Sequence, residues 1–332
     1  MKITLRAKLL SLCLGVSLLA TGCGGNDDEA APAAAMLDPC AAVPAPAPAS
    51  GALAPVSATG AYLCAAGIGV SDLEASVTFY KALGMTERTR LTRSDRREVV
   101  LDSADARASR LVLYTYTDGS ARNYRQNPGK LVFYVKNAST FAAAFTAAGG
   151  TVTSPPSPLG ATGITVGFGR DRDLNLVEIT SLPAANPSAA QTHSYIAAFG
   201  LGASNLAAAR DFYVNTLDMK VSQFLQVTKP TSTGGTTPWY DEYILVSNAG
   251  RGSAVVLMNY TDGLPKNYNG NPVKLTLRVN DPAAYAQRIT AAGVAGASVT
   301  RAPAPEAELG GTAVGYATDA NGTLLEILNS PL

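Results

Sequence analysis

Two lysines, Lys130 and Lys274, each close a copied stretch of sequence rich in tyrosine, and these residues are the recurring candidates for chemistry. Tyr116-Thr-Asp-Gly-Ser-Ala-Arg-Asn-Tyr-Arg-Gln-Asn-Pro-Gly-Lys-Leu131 returns 144 positions later as Tyr260-Thr-Asp-Gly-Leu-Pro-Lys-Asn-Tyr-Asn-Gly-Asn-Pro-Val-Lys-Leu275, with ten of sixteen positions identical. A desolvated lysine could hold an anionic ligand group, or serve as a Schiff-base nucleophile or proton carrier. Paired with a carboxylate it could instead fill a polar hole, and such a partner keeps it charged and non-nucleophilic. The tyrosines offer flat apolar bodies with one polar tip, suited to organic ligands or to core packing.

Other chemistries are thin. His193 is the only histidine, which excludes His-rich metal sites and allows one Ser-His-Asp triad at most. The glycines form neither a Walker loop nor a dinucleotide fingerprint. With 26 basic and 25 acidic residues the net charge is +1, which argues against a nucleic-acid partner. Arg88, Arg90, Arg93, Arg96 and Arg97 crowd one segment; a solvated hairpin is the plain reading, an anion-binding face the other.

The elements that must position these residues follow from periodicity. Asp-Gly and Asn-Pro mark turns within the copied stretch, and an apolar run follows, so each copy is a connector plus the strand after it. Ala61–Val70 reads as a strand; Asp72 opens a helix with Leu73, Val77, Phe79, Tyr80 and Leu83 at helical spacing, stopped by Gly84. Short strands are expected at 85–91, 98–102, 110–116 and 131–135, a helix at 139–148, and strands at 164–168 and 176–180. The second half begins with a strand at 195–202 and a helix capped by Asn205. Strands at 242–246, 254–260 and 275–279, a helix at 282–292 and strands at 315–317 and 323–328 complete it. The early anchors superpose at an offset of 133 and the connectors at 144, so eleven residues are inserted, most naturally at Lys229–Trp239. That polar segment, with the only tryptophan, reads as an elongated hairpin tip or as a lid over a cleft.

The first residues combine Lys2, Arg6 and Lys8 with a short apolar run from Leu9 to Leu19, the form of an export signal too short to span as a mature helix. Leu19-Ala-Thr-Gly-Cys23 resembles a bacterial lipobox, with Ala20 where leucine is usual. That resemblance implies residues 1–22 as a signal peptide, lipidation at Cys23 and, with Gly24 following, retention on the periplasmic face of the outer membrane. Residues 23–59 form an Ala/Pro-rich tether that cannot bury enough apolar surface to fold. Cys40 and Cys64 could pair as a disulfide in an oxidising compartment or remain as two thiols.

Gly67-Ile-Gly-Val-Ser-Asp-Leu-Glu-Ala-Ser-Val-Thr-Phe-Tyr-Lys-Ala-Leu-Gly-Met85, with Arg172-Asp-Leu-Asn-Leu-Val-Glu-Ile179 and Thr318-Asp-Ala-Asn-Gly-Thr-Leu-Leu-Glu-Ile327, resembles the vicinal oxygen chelate superfamily of glyoxalase I, bleomycin-resistance proteins and extradiol dioxygenases. The resemblance covers both halves. It implies an α+β fold of two tandem domains, residues 60–184 and 190–330, each of two paired βαβββ modules whose sheets curl round a cleft. It also implies where metal ligands would lie: Ala65 and Ala198, positions near Val112 and Val256, Lys130 and Lys274, and Glu178 and Glu326. Only the two glutamates could bind a divalent cation, so no metal or other cofactor is expected. The same register points Lys130 at Glu178 and Lys274 at Glu326. Strand parity adds Tyr114, Tyr116 and Tyr134 to the Lys130 cleft, and Tyr260 and Arg278 to that of Lys274. The expected function is binding of a small organic ligand, an anionic one among the candidates, without a metal. The alternatives are a lyase or other enzyme of the superfamily with a non-standard site, and an interaction module with closed clefts.

Overall fold

Four copies of one local pattern build the chain, each a strand, a capped helix and three strands. The computed structural model describes residues 59–103, 109–119, 122–125, 127–159, 162–183, 194–230 and 236–330. The expected signal, the tether to residue 58, Cys23, Cys40 and His193 lie outside the described residues; Cys64 is buried on the first strand. The first module is β1 (Tyr62–Gly69), α1 (Leu73–Ala82), β2 (Thr86–Thr92), β3 (Arg96–Asp102) and β4 (Arg110–Tyr116). The second is β5 (Lys130–Tyr134), α2 (Ala138–Ala147), β6 (Thr151–Pro158), β7 (Thr165–Arg170) and β8 (Leu176–Ser181). The third is β9 (Tyr195–Gly202), α3 (Leu206–Asn215), β10 (Met219–Pro230), β11 (Thr236–Ser247) and β12 (Ala254–Tyr260). The fourth is β13 (Val273–Arg278), α4 (Pro282–Ala291), β14 (Ser298–Glu306), β15 (Thr312–Thr318) and β16 (Leu324–Leu328).

Each helix starts where a side-chain oxygen accepts an orphan backbone N–H. Asp72 accepts from Ala75, Asn137 from Thr140, Asn205 from Ala208, and Asp281 from Ala283 and Ala284. The strands alternate between two faces. Leu111, Leu113, Leu131, Phe133, Leu275 and Leu277 join the helices in one large core. Their neighbours Val112, Tyr114 and Val132 fall in two smaller clusters on the opposite faces, which are the cleft faces.

The modules pair across the halves, not within them. One eight-stranded sheet runs β14-β15-β16-β13-β1-β4-β3-β2, joining the fourth module to the first; the other runs β10-β11-β12-β9-β5-β8-β7-β6, joining the third to the second. The seams are β1 against β13, with Gly67 opposite Lys274, and β5 against β9, with Leu131 opposite Phe199. At the second seam a Cβ on Gly129 would lie 2.1 Å from the Gly200 carbonyl oxygen, so only glycine allows this approach. Within a half the modules still touch: Tyr80 donates to Asp171 at 2.9 Å, and its copy Tyr213 to Asp319 at 3.0 Å. A pseudo-twofold relation is visible where Ser109 N donates to Ser253 Oγ at 3.1 Å and Ser253 N to Ser109 Oγ at 2.9 Å.

Three local features sharpen or correct the expected elements. β6 and β14 carry Pro155, Pro156 and Pro158, and Pro303 and Pro305. Proline suppressed the strand signal, and both strands lie at sheet edges, where a missing donor is tolerated. The insertion lengthens the β10–β11 hairpin, with Lys229 and Trp239 on its strands. The copied connectors are built loops: the Tyr124 and Tyr268 hydroxyls accept from the N–H of Tyr116 and Tyr260 at 3.1 and 2.8 Å. Arg122 and Lys266, also 144 apart, lie over the rings of those same tyrosines.

Candidate functional site

Because the sheets cross between halves, each repeated lysine faces residues of the other half. Lys130 on β5 lies between Glu178 on β8 and Glu242 on β11, with Nζ donating at 2.9 and 2.7 Å; the Tyr240 hydroxyl is 3.5 Å away. The Lys130 and Glu242 side chains are 3% and 4% exposed and Glu178 16%, so the centre is nearly closed. Thr180 Oγ1 donates to the other oxygen of Glu178 at 3.1 Å. Burial disfavours the Lys130 ammonium, but Glu178 and Glu242 outweigh it and hold its pKa well above the ordinary lysine value. Burial raises Glu242 above the usual carboxylate range; Lys130 opposes that rise and Glu178 adds to it.

The other centre is tighter and richer in cations. Lys274 on β13 donates to both Glu98 oxygens at 2.9 and 3.0 Å and lies 3.0 Å from Glu326, all three fully buried. Arg96 Nε donates to Glu98 at 2.6 Å; Arg93 donates to Glu326 at 3.3 Å and pairs with Glu306. Glu326 also accepts from Thr276 at 2.8 Å and from Tyr316 at 3.2 Å. Burial pushes Glu98 upward, but Lys274, Arg96 and Arg93 together hold it down to about 2. Each buried charge here is paired and hydrogen-bonded, which is what offsets its desolvation.

The two lysine–glutamate pairs are thus formed as the register implied, while the expected company of each lysine changes. Tyr114 and Tyr116 belong to the sheet of Lys274, and Tyr260 to that of Lys130, because the modules cross. Tyr134 remains with Lys130, at the margin of its apolar cluster and in ring contact with Tyr195. Arg278 remains on β13 with Lys274, its Nη1 donating to Asn280 at 2.8 Å. Arg93 and Arg96 do not form a solvated hairpin face but turn inward, whereas Arg88 and Arg90 make exposed pairs with Asp102, Glu74 and Glu87. Glu98 and Glu242 are the members of the two centres that the sequence alone did not bring forward. They stand 144 apart, in Arg97-Glu-Val-Val-Leu-Asp-Ser103 and Asp241-Glu-Tyr-Ile-Leu-Val-Ser247, so the repeat itself could have found them.

A divalent cation does not fit either centre. Ala65 and Val112, and Ala198 and Val256, present hydrocarbon on the cleft faces. The two carboxylates of each centre already hold an ammonium between them. Among the described residues no cluster of three or more His, Cys, Asp or Glu could hold a metal ion.

The cleft mouths differ. Beside the Lys274 centre is a cavity of about 310 Å³ walled by Arg93, Arg96, Arg301, Glu306, Glu308 and Tyr316, a mesh of paired charges. Beside the Lys130 sheet a larger cavity, about 610 Å³, lies between the two connectors, where Phe168, Leu176, Trp239 and Tyr260 line it together with a majority of polar and charged residues. None of Lys130, Glu178, Glu242 or Tyr240 lines it.

The chain belongs to the Glyoxalase/Bleomycin resistance protein/Dioxygenase superfamily, whose family model matches residues 63–179 and 195–327. Among solved structures it is similar to glyoxalase I from Zea mays, with a TM-score of 0.60 and 16% identity over 81% of this chain and 92% of that one. It is also similar to a putative dioxygenase from Bacillus subtilis, with a TM-score of 0.54 and 12% identity over 82% of this chain and 86% of that one. At these identities the likeness is one of fold. A comparison with curated proteins finds no match.

Proposed function

We propose that this superfamily member binds a small organic molecule without a metal, in the 610 Å³ cavity beside the Lys130 sheet. The observation that carries this reading is the ammonium held between two carboxylates where the family resemblance implies a cation. The centre puts a lysine, its charge offset by Glu178 and Glu242, where a metal would otherwise be needed, and it lies beside the cavity without lining it. The volume of the cavity lies in the range of small-molecule sites. The Lys274 cleft, with its mouth filled by paired charges, serves the fold. The sole tryptophan, Trp239, lines the larger cavity, so occupancy has an optical signal. Saturable change in Trp239 fluorescence with a small aromatic acid, unaltered by prior EDTA treatment, supports the reading. Binding that requires an added divalent metal would overturn it.

We further propose that the protein is exported, acylated at Cys23 and held at the periplasmic face of the outer membrane, with the Ala/Pro-rich segment as a spacer. The positive start, short apolar run and Leu19-Ala-Thr-Gly-Cys23 support this. Mass spectrometry of the protein extracted from membranes tests it: an acylated Cys23 as first residue is expected, and an unacylated terminus contradicts it.

A further inference from the structure

We infer that the 610 Å³ cavity takes a planar aromatic anion, recognised by lysines and arginines at its rim and not by Lys130; the inference rests on the binding reading above. Three rings supply the apolar wall. Phe168 meets Trp239 edge-on at 5.4 Å between centroids, and Tyr240 behind the wall stacks near both Trp239, at 4.8 Å, and Tyr260, at 5.6 Å. Trp239 and Tyr260 are partly exposed, and Lys266 lies over the Tyr260 ring at 4.9 Å. A flat ring entering here would replace water against aromatic surface and gain the offset or edge-on geometry such rings prefer.

The charge of the rim sets the sign of the ligand. Arg125, Arg170, Lys229 and Lys266 line the cavity, against one carboxylate, Asp262. Asp262 is spread over two of these cations at 3.7 Å (Lys229) and 3.5 Å (Lys266), neither a tight pair, and its side chain is only 6% exposed. Arg170 uses one nitrogen on the Leu174 carbonyl oxygen. An excess of cations over a low-dielectric aromatic wall focuses a field that favours an anion. Asn127, 95% buried on the same wall, has a carbonyl oxygen without a hydrogen-bond partner among the described residues.

The comparison between copies shows that these features are specific to this mouth. Trp239 and Tyr240 correspond, 144 positions apart, to Asp95 and Arg96, and Phe168 corresponds to Tyr316, 148 positions later. In the Lys274 cleft those positions make an arginine–carboxylate mesh in place of an aromatic wall. Lys229 is contributed by the inserted hairpin that the first half lacks.

The test titrates the full chain with 2-naphthoate, the neutral 2-naphthamide and the aliphatic hexanoate, by calorimetry with Trp239 fluorescence read in parallel. Expected is saturable binding of 2-naphthoate, about tenfold or more tighter than either other probe and weakened by salt. Combined Lys229→Ala and Lys266→Ala should weaken 2-naphthoate about tenfold and leave 2-naphthamide unchanged. These lysines are partly exposed, so the variant should fold; its circular dichroism and melting midpoint check this. If 2-naphthamide binds as tightly as 2-naphthoate, or the lysine substitutions change neither, anion recognition is overturned while the binding reading survives. If no probe binds and Trp239 is silent, both fall.

Discussion

Replacing Lys130 by methionine isolates the role of its ammonium, because the buried stem is nearly preserved while the charge is removed. Glu242 then loses the donor at 2.7 Å, its hydrogen-bond partner among the described residues. Glu178 keeps Thr180 and some solvent, so the penalty falls on Glu242. Removing one partner of a buried pair costs about 3–5 kcal/mol. The pH dependence follows from the sign of the shift. Glu242 already lies above its ordinary value of 4.5 because of burial, and without Lys130 it rises further. A carboxyl raised in the folded state contributes stability below its unfolded value and loses it as pH rises through the folded value. The deficit of Lys130→Met should therefore be largest near pH 8 and shrink toward pH 5, by about 1.4 kcal/mol for each unit of pKa increase spanned. Urea unfolding followed by circular dichroism at both pH values measures it. A variant within about 1 kcal/mol of the wild type at both, well short of the buried-pair cost, would refute the claim that the ammonium compensates Glu242.

The same logic gives the opposite pH sense for the other centre. Glu98, held down to about 2 chiefly by Lys274 and Arg96 against burial, contributes stability above its unfolded value, and wild-type urea titrations should show this lost as pH falls from about 4.5 toward 2. Lys130→His would offer an imidazole to Glu178 and Glu242, a three-donor set of the kind zinc accepts; calorimetry should detect zinc binding absent from the wild type and abolished by adding Glu242→Gln. Gly200→Ala would place a Cβ 2.6 Å from Lys130 N and 2.7 Å from its Cγ, and the forced shift should lower stability by about 1–3 kcal/mol in the same urea assay.

Much of this architecture is local and therefore readable. Asp72 and Asn205 announce helices because a cap oxygen works within four residues of chain, and Asn137 and Asp281 cap the other two in the same way. Tyr116 to Leu131 announces the duplication, and the lysine–glutamate pairs followed once neighbouring strands were placed in register. The choice of partner for β1 was not local. Either β5 or β13 offers it an apolar strand led by a lysine, Lys130 or Lys274, and the selection of β13 depends on contacts between distant modules, such as Ser109 with Ser253. That single choice moved Tyr114 and Tyr116 to the other cleft. Arg93 and Arg96 were misread for a related reason: charge on a strand suggests solvent until an opposing carboxylate, Glu98 or Glu326, is known to be buried beside it.

Where the family resemblance implies a metal, each cleft holds a lysine ammonium between carboxylates, and elemental analysis of the purified protein after exposure to zinc, nickel and manganese checks this. Far less than one bound ion per chain is expected, with no change on substituting Glu178→Gln or Glu326→Gln. One or more tightly held ions per chain, lost when either glutamate is replaced, would contradict it.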